Sequence, residues 1–155
     1  MKKLLDKNVI LFTVGFCIYI TIEVLFRGFS YPLMGVVGGI TLILLDKINN
    51  KISWETDLTI QAIIGSVIVT LFELVIGIVA LYTSLPQMWD YSNMPLNFMG
   101  VICLPFSIAW CFLSVIGIFV ADAINYYVYE ELPIPYYKML GRTVFTFKEK
   151  ECRLK

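Results

Sequence analysis

Histidine is missing altogether, and charge is scarce: only 15% of the 155 residues are Asp, Glu, Lys or Arg. Without imidazole, a zinc site and a histidine general base are both excluded. Paired cysteines are missing too, because Cys17, Cys103, Cys111 and Cys152 show no Cys-x-x-Cys spacing. The first three lie within or at the ends of apolar runs, so they read as small hydrophobes, not as a disulfide or metal framework. Neither sign of charge is in excess, with 12 basic against 12 acidic residues, which removes the electrostatic case for nucleic-acid binding. No Gly-rich phosphate loop or Walker pattern occurs, and no serine or cysteine has a base beside it. The chain therefore reads as neither an enzyme nor a cofactor protein.

What remains is apolar. Hydrophobic residues make up 59% of the chain and the mean hydropathy is +0.80, more than a soluble core of this length can hide from water. Lipid must replace the outer wall of the core, which requires runs of about 20 apolar residues to cross about 30 Å of hydrocarbon. Four such runs are legible, at about 8–26, 31–46, 58–83 and 100–128, which predicts an all-α membrane protein of four transmembrane helices, paired as two similar helical hairpins, within one integral membrane domain spanning 1–155.

The lysines Lys2, Lys3 and Lys7 precede the first run, and no small-x-small cleavage pattern follows it, so it reads as a retained span and not a signal peptide. Gly28 and Pro32 then break the chain before the glycine-rich second run, where the spacing of Gly35, Gly38 and Gly39 permits close approach of a second helix. The polar loop 46–57 carries Trp54 as an interfacial anchor. In the third run Thr59, Ala62, Ser66, Thr70, Glu73, Gly77 and Ala80 recur every three or four residues, which points Glu73 into the protein. In the fourth run Cys103, Ser107, Trp110, Ser114, Gly117, Ala121 and Asn125 form a similar face, with Asp122 toward its far end. Pro133 and Pro135 stop the helix. The tail 130–155 then mixes aromatics with Lys138 and Arg142, as an amphipathic segment on a membrane surface or a short hairpin near 142–147 would.

The N-terminus holds three basic residues, the 46–57 loop two and the tail six, whereas the two other connections share only Arg27. The positive-inside rule therefore predicts cytoplasmic termini in a multi-pass membrane protein. Glu23, Arg27, Glu73 and the stretch 89–107 then fall toward the outer side. An intramembrane carboxylate is costly and is normally paired, hydrated or functional. Arg27 stands at the i,i+4 position from Glu23, while Glu73 lacks a local partner. Asp90 is placed to cap the turn after it, and Asn97 to do the same for the fourth span. Glu23, Arg27, Glu73, Trp89, Asp90, Tyr91, Ser92 and Asn97 are thus the candidate residues of an outward polar pocket for a substrate or ion. The alternative is that they only hold the bundle together.

The halves also look alike. Glu23 is followed by Ser30, Tyr31, Pro32 and Met34-Gly35, and Glu73 by Tyr91, Ser92, Pro95 and Met99-Gly100, as two hairpins related about the membrane normal would be.

The run Trp89-Asp90-Tyr91-Ser92, with Pro95, Asn97, Gly100, Ile102-Cys103-Leu104, Ser107 and Trp110, resembles the signature of the bacterial family named putative ABC-transporter type IV, or CmpB-like. Glu23, Arg27-Gly28-Phe29, Gly38-Gly39, Gln61, Gly65, Glu73, Gly77 and Asp122 fit the same pattern, so the resemblance runs from Glu23 to Tyr137. Val101 stands where that pattern has glutamine. The vertebrate transmembrane protein 229 group is similar. The resemblance implies a small multi-span, permease-like transport component. It shows no cytoplasmic Glu-Ala-Ala loop for docking an ATPase, and four spans are few for a permease. Its expected partners are therefore the lipid bilayer and either further copies of itself or a partner membrane or ATPase subunit.

Overall fold

The computed structural model describes residues 6–49, 51–53, 55–131 and 133–149. Trp54, Cys152, Lys2 and Lys3 lie outside them. The described chain forms four helices: α1 (Lys7–Arg27), α2 (Pro32–Asn49), α3 (Leu58–Tyr82) and α4 (Leu104–Ala123), the last continued by a π-helical turn over Ile124–Val128. Three of them, Lys7–Arg27, Leu58–Tyr82 and Leu104–Val128, are long and apolar enough to cross a membrane.

The helix starts follow from capping chemistry. The Asp6 carboxylate accepts from the Asn8 N–H at 2.8 Å and Asp57 from the Thr59 N–H at 2.9 Å, satisfying free donors of the first turns of α1 and α3. α4 begins at Leu104, later than the expected position near 100, and Pro105 sits in its first turn, where a missing N–H costs nothing. The residues before it are strands, β1 (Asn97–Phe98) and β2 (Ile102–Cys103).

The fold is thus mostly helical, not purely so. Met99 and Gly100 turn between β1 and β2 with φ of 54° and 71°, a backbone that only glycine enters without steric cost. Met99-Gly100 therefore opens a hairpin turn and not a helix, unlike Met34-Gly35 in α2. A second hairpin joins β3 (Tyr136–Met139) to β4 (Arg142–Thr146); of the two readings of the tail it replaces the amphipathic segment, and it begins earlier than the hairpin expected near 142–147. Alternation along β3 buries Tyr137, whose ring centroid lies 4.2 Å from that of Phe119 on α4. The Leu140 N–H donates to Asp57 at 2.6 Å, and Lys138 pairs with Glu55. The tail is thereby pinned to the start of α3.

α1 packs on α2, α3 packs on α4, and α2 against α4 joins the pairs. The first pairing is a glycine crossing: a Cβ on Gly15 would stand 2.5 Å from the Gly38 carbonyl oxygen, and one on Gly39 2.8 Å from that of Phe12. Backbones meet where side chains would keep them apart. Along α3 the members Ala62, Ser66, Glu73, Gly77 and Ala80 of the expected stripe are buried and Thr70 is half-buried, whereas Thr59, in the first turn, is exposed; Ile60, Ile63, Val67, Leu71 and Val75 are each about half exposed. An apolar exterior around a small and polar interior fits a membrane protein.

Candidate functional site

Glu73 is 2% exposed, and its two carboxylate oxygens are divided between two elements. The Tyr91 hydroxyl donates to Oε1 at 2.9 Å and the Trp110 indole N–H to Oε2 at 3.0 Å. The local partner that the sequence did not offer therefore comes from the 89–107 stretch and from α4. Tyr19 of α1 stacks on Trp110 with centroids 5.7 Å apart, and Tyr91 stacks on Phe106 at 4.5 Å. Burial and the adjacent carboxylate push the Tyr91 phenol well above its ordinary pKa, so it stays a donor at any physiological pH.

The stretch 89–100 is braced from within. The Trp89 indole N–H donates to the Val101 carbonyl at 2.7 Å and the Tyr91 N–H to that of Gly100 at 2.8 Å. Asp90 accepts from the Ser92 N–H at 2.9 Å and from its hydroxyl at 2.6 Å, as an Asx turn should. Those bonds hold the exposed Asp90 carboxyl below its usual range. Asn97 does not cap α4. Its amide donates to the Met94 and Ser92 carbonyls and its oxygen accepts from the Gly100 N–H. The stretch is fitted onto α3 at Gly77, where a Cβ would lie 2.6 Å from that of Val101.

Glu23 and Arg27 meet as their spacing predicts, at 2.7 Å. Ser30 donates to the same Glu23 oxygen at 2.6 Å, and the Arg27 guanidinium also donates to the Met88 carbonyl. Arg27 therefore ties the end of α1 to the chain entering the 89–100 stretch, and makes no bond to Glu73. The two groups are neighbours: Arg27 bonds to the chain just before Trp89, and Phe26 beside it meets edge-on the Phe106 ring on which Tyr91 stacks. All eight candidate residues belong to these two adjoining groups, although Asp90, Ser92 and Asn97 shape the stretch and do not touch Glu73. Trp110, Tyr19, Ser30 and the Met88 carbonyl complete them. Trp110 was already on the interior face of α4, one turn from Ser107, which is the signal that could have found it.

The opposite end of the helices holds a second polar group, of which Asp122 and Asn125 stood out on the fourth run of the sequence. Asp46 and Asp122 are each 2% exposed. Asn125 donates to Asp46 at 2.5 Å, Lys7 reaches Asp46 at 3.4 Å and Glu131 at 3.0 Å, and the Tyr137 hydroxyl donates to Asp122 at 2.6 Å. Among the described residues, no three His, Cys, Asp or Glu side chains form a group able to hold a metal ion.

A family model described as "Putative ABC-transporter type IV" matches residues 7–148. The chain belongs to that family. The match covers everything from α1 to β4, so both polar groups lie within the region that defines the ABC-transporter type IV family. No curated protein and no solved structure matches the chain.

Proposed function

We propose that this family member is a transport-type, permease-like component of the bacterial inner membrane, with the 89–100 stretch closing its outer side over Glu73. The observation that carries the reading is the shared use of Glu73. One oxygen is held by Tyr91 of the closing stretch and the other by Trp110 of the helix bundle. A buried carboxylate bridging a surface segment to the bundle serves as a latch. Releasing Tyr91 would free an acceptor for a substrate or cation at the outer end.

In this reading α2 is the fourth span. Its 18 residues at about 1.5 Å each reach about 27 Å, close to the hydrocarbon thickness. Both termini are cytoplasmic by the distribution of basic residues, which puts the β3–β4 hairpin at the inner surface. Four spans per chain call for further copies or a partner subunit, an ATPase among the candidates. Kinship with the transmembrane protein 229 group belongs to the same proposal.

A purely structural role is favoured by one observation: Glu23, Arg27 and Glu73 all have partners within the chain. Reconstituting the parent chain and Glu73→Gln in proteoliposomes loaded with a bacterial metabolite extract separates the two. Solutes exported by the parent chain and retained by an equally stable Glu73→Gln variant support transport. No movement by either supports the structural role.

A further inference from the structure

The 89–100 stretch exposes two chemically different parts. Asp90, Ser92 and Asn93 are polar and exposed, and Asp90 is the only charged residue between positions 83 and 107. Further along, Leu96 is 76% exposed and Phe98 and Met99 are each about half exposed. Three large apolar side chains shown within four residues are out of place on a connection bathed in water. Leu96 and Met99 moreover hold φ of 50° and 54°, positions that a solvated turn gives to glycine or asparagine.

The packing sets the depth of this patch. A Cβ on Gly77 would strike Val101, so the end of the stretch lies beside Gly77, about 7.5 Å short of the outer end of α3 at Tyr82. It therefore lies within the length of a helix able to cross a membrane. At the same level α3 exposes Val75 and Val79. The patch is also continuous with an exposed stripe of α4. The Leu104 N–H donates to the Leu96 carbonyl at 3.3 Å, and Leu104 opens the row Leu104, Ile108, Phe112 and Ile116, exposed at steps of four. Such a row is the lipid-facing edge of a spanning helix, and Leu96 stands at its head.

Non-helical backbone survives at membrane depth only where its polar groups find partners within the protein. Here the Tyr91 N–H donates to the Gly100 carbonyl and the Val101 N–H to that of Phe98. Asn97 is the one polar side chain between Leu96 and Met99. Its amide and its oxygen are both spent on the backbone of the stretch itself.

We propose that Leu96, Phe98 and Met99 form a foot seated in the bilayer leaflet at the Glu73 end of the helices, where headgroups meet acyl chains. Phospholipid is the occupant because the patch continues the α4 row and carries no charge to recruit an ionic partner. The stretch over Glu73 is then held by lipid at one part and by Tyr91 at another, while Asp90, Ser92 and Asn93 meet water. This contact exists whether or not any solute is moved, so it goes beyond the transport reading.

The test places one nitroxide per chain, through Asn93→Cys, Leu96→Cys, Phe98→Cys or Phe112→Cys, in the full chain with its four native cysteines replaced by alanine. Each is held as a single copy in phosphatidylcholine nanodiscs. Oxygen concentrates among acyl chains and a neutral nickel chelate stays in water, so the ratio of their effects on spin relaxation reads depth. At Leu96 and Phe98 oxygen is expected to outweigh the chelate, as at Phe112 on α4, with the reverse at Asn93. A chelate-dominated signal at Leu96 or Phe98 would overturn the proposal. So would shielding from both reagents at these positions, which means that protein and not lipid covers the patch. Phe98→Trp, a conservative change in the chain with its own cysteines, guards against damage from the cysteine replacements. Its added fluorescence is expected to be quenched by brominated phosphatidylcholine, and unquenched emission would equally overturn the proposal.

Discussion

Tyr91 and Glu73 lie 18 residues apart in the chain and meet through a 2.9 Å hydrogen bond that fastens the 89–100 stretch to the buried face of α3. Since Trp110 donates to the other oxygen, the carboxylate joins three parts of the fold at once.

In Glu73→Gln the amide oxygen can accept from Trp110, whose indole only donates, while the amide N–H₂ donates to the Tyr91 oxygen. Both contacts survive, and the variant is expected within about 1 kcal/mol of the parent in thermal or denaturant unfolding. Glu73→Leu leaves two buried donors orphaned, at about 1–3 kcal/mol each. Similar losses in the two variants would contradict this arrangement.

Close backbone contact between α1 and α2 leaves no room at Gly15. Gly15→Ala brings a methyl to 2.5 Å from the Gly38 carbonyl oxygen, which cannot move aside as a side-chain end could. A loss of about 1–3 kcal/mol is expected, seen as a lower melting temperature in detergent. Gly117→Ala, facing only leucine side chains, is expected to lose less. The reverse order would speak against the crossing.

At the other end, Tyr137→Phe keeps the ring on Phe119 and deletes only the 2.6 Å hydrogen bond to the buried Asp122. Bonds to charged groups contribute about 1.5–3 kcal/mol, so the variant unfolds that much more easily. A double-mutant cycle with Asp122→Ala checks the assignment: a coupling near zero contradicts it.

The hairpin's attachment to α3 depends on pH at both extremes. The Lys138 ammonium and the Tyr136 hydroxyl hold the Glu55 carboxyl below its ordinary 4.5, and the Thr59 N–H holds Asp57 below its ordinary 3.8. Both contributions are complete above those values and fade as pH falls through the lowered pKa of each docked carboxyl. Glu55 in turn holds Lys138 above its ordinary 10.5. That contribution is complete below 10.5 and fades as pH rises through the raised value. A spin label at the exposed Val144 is expected to gain mobility in acid and again in strong base. A mobility that stays flat from neutral pH into strong acid and into strong base contradicts this.

Much of the fold was legible because membrane helices obey one strong rule, that every backbone group bonds within its own segment. Lengths and periodicity therefore placed α1 and α3 to within a residue. The stripe on α3 put Glu73 inside, and the spacing of Glu23 and Arg27 gave their pair. The hairpins were less visible. Two-residue strands such as β1 carry no periodicity, and Tyr136–Met139 alternates too briefly to separate a strand from a surface helix. The partners of Glu73 were hidden for another reason. Tyr91 reaches it through a turn at Met99 and Gly100 that no local pattern announces, and Trp110 through the tertiary packing of α3 on α4.

The claim that the 89–100 stretch is an outer lid latched at Glu73 is tested most directly at Cys103. This thiol is 2% exposed beneath the stretch. In a chain with Cys17, Cys111 and Cys152 replaced by alanine, it is the one remaining cysteine. The measurement is its rate of reaction in intact cells with an impermeant maleimide added outside. Protection in the parent, with about tenfold or faster labelling in Tyr91→Phe, is the predicted result, since one such bond shifts an opening equilibrium by about that factor. The same slow rate in both chains, or labelling only after the cells are broken open, would contradict it.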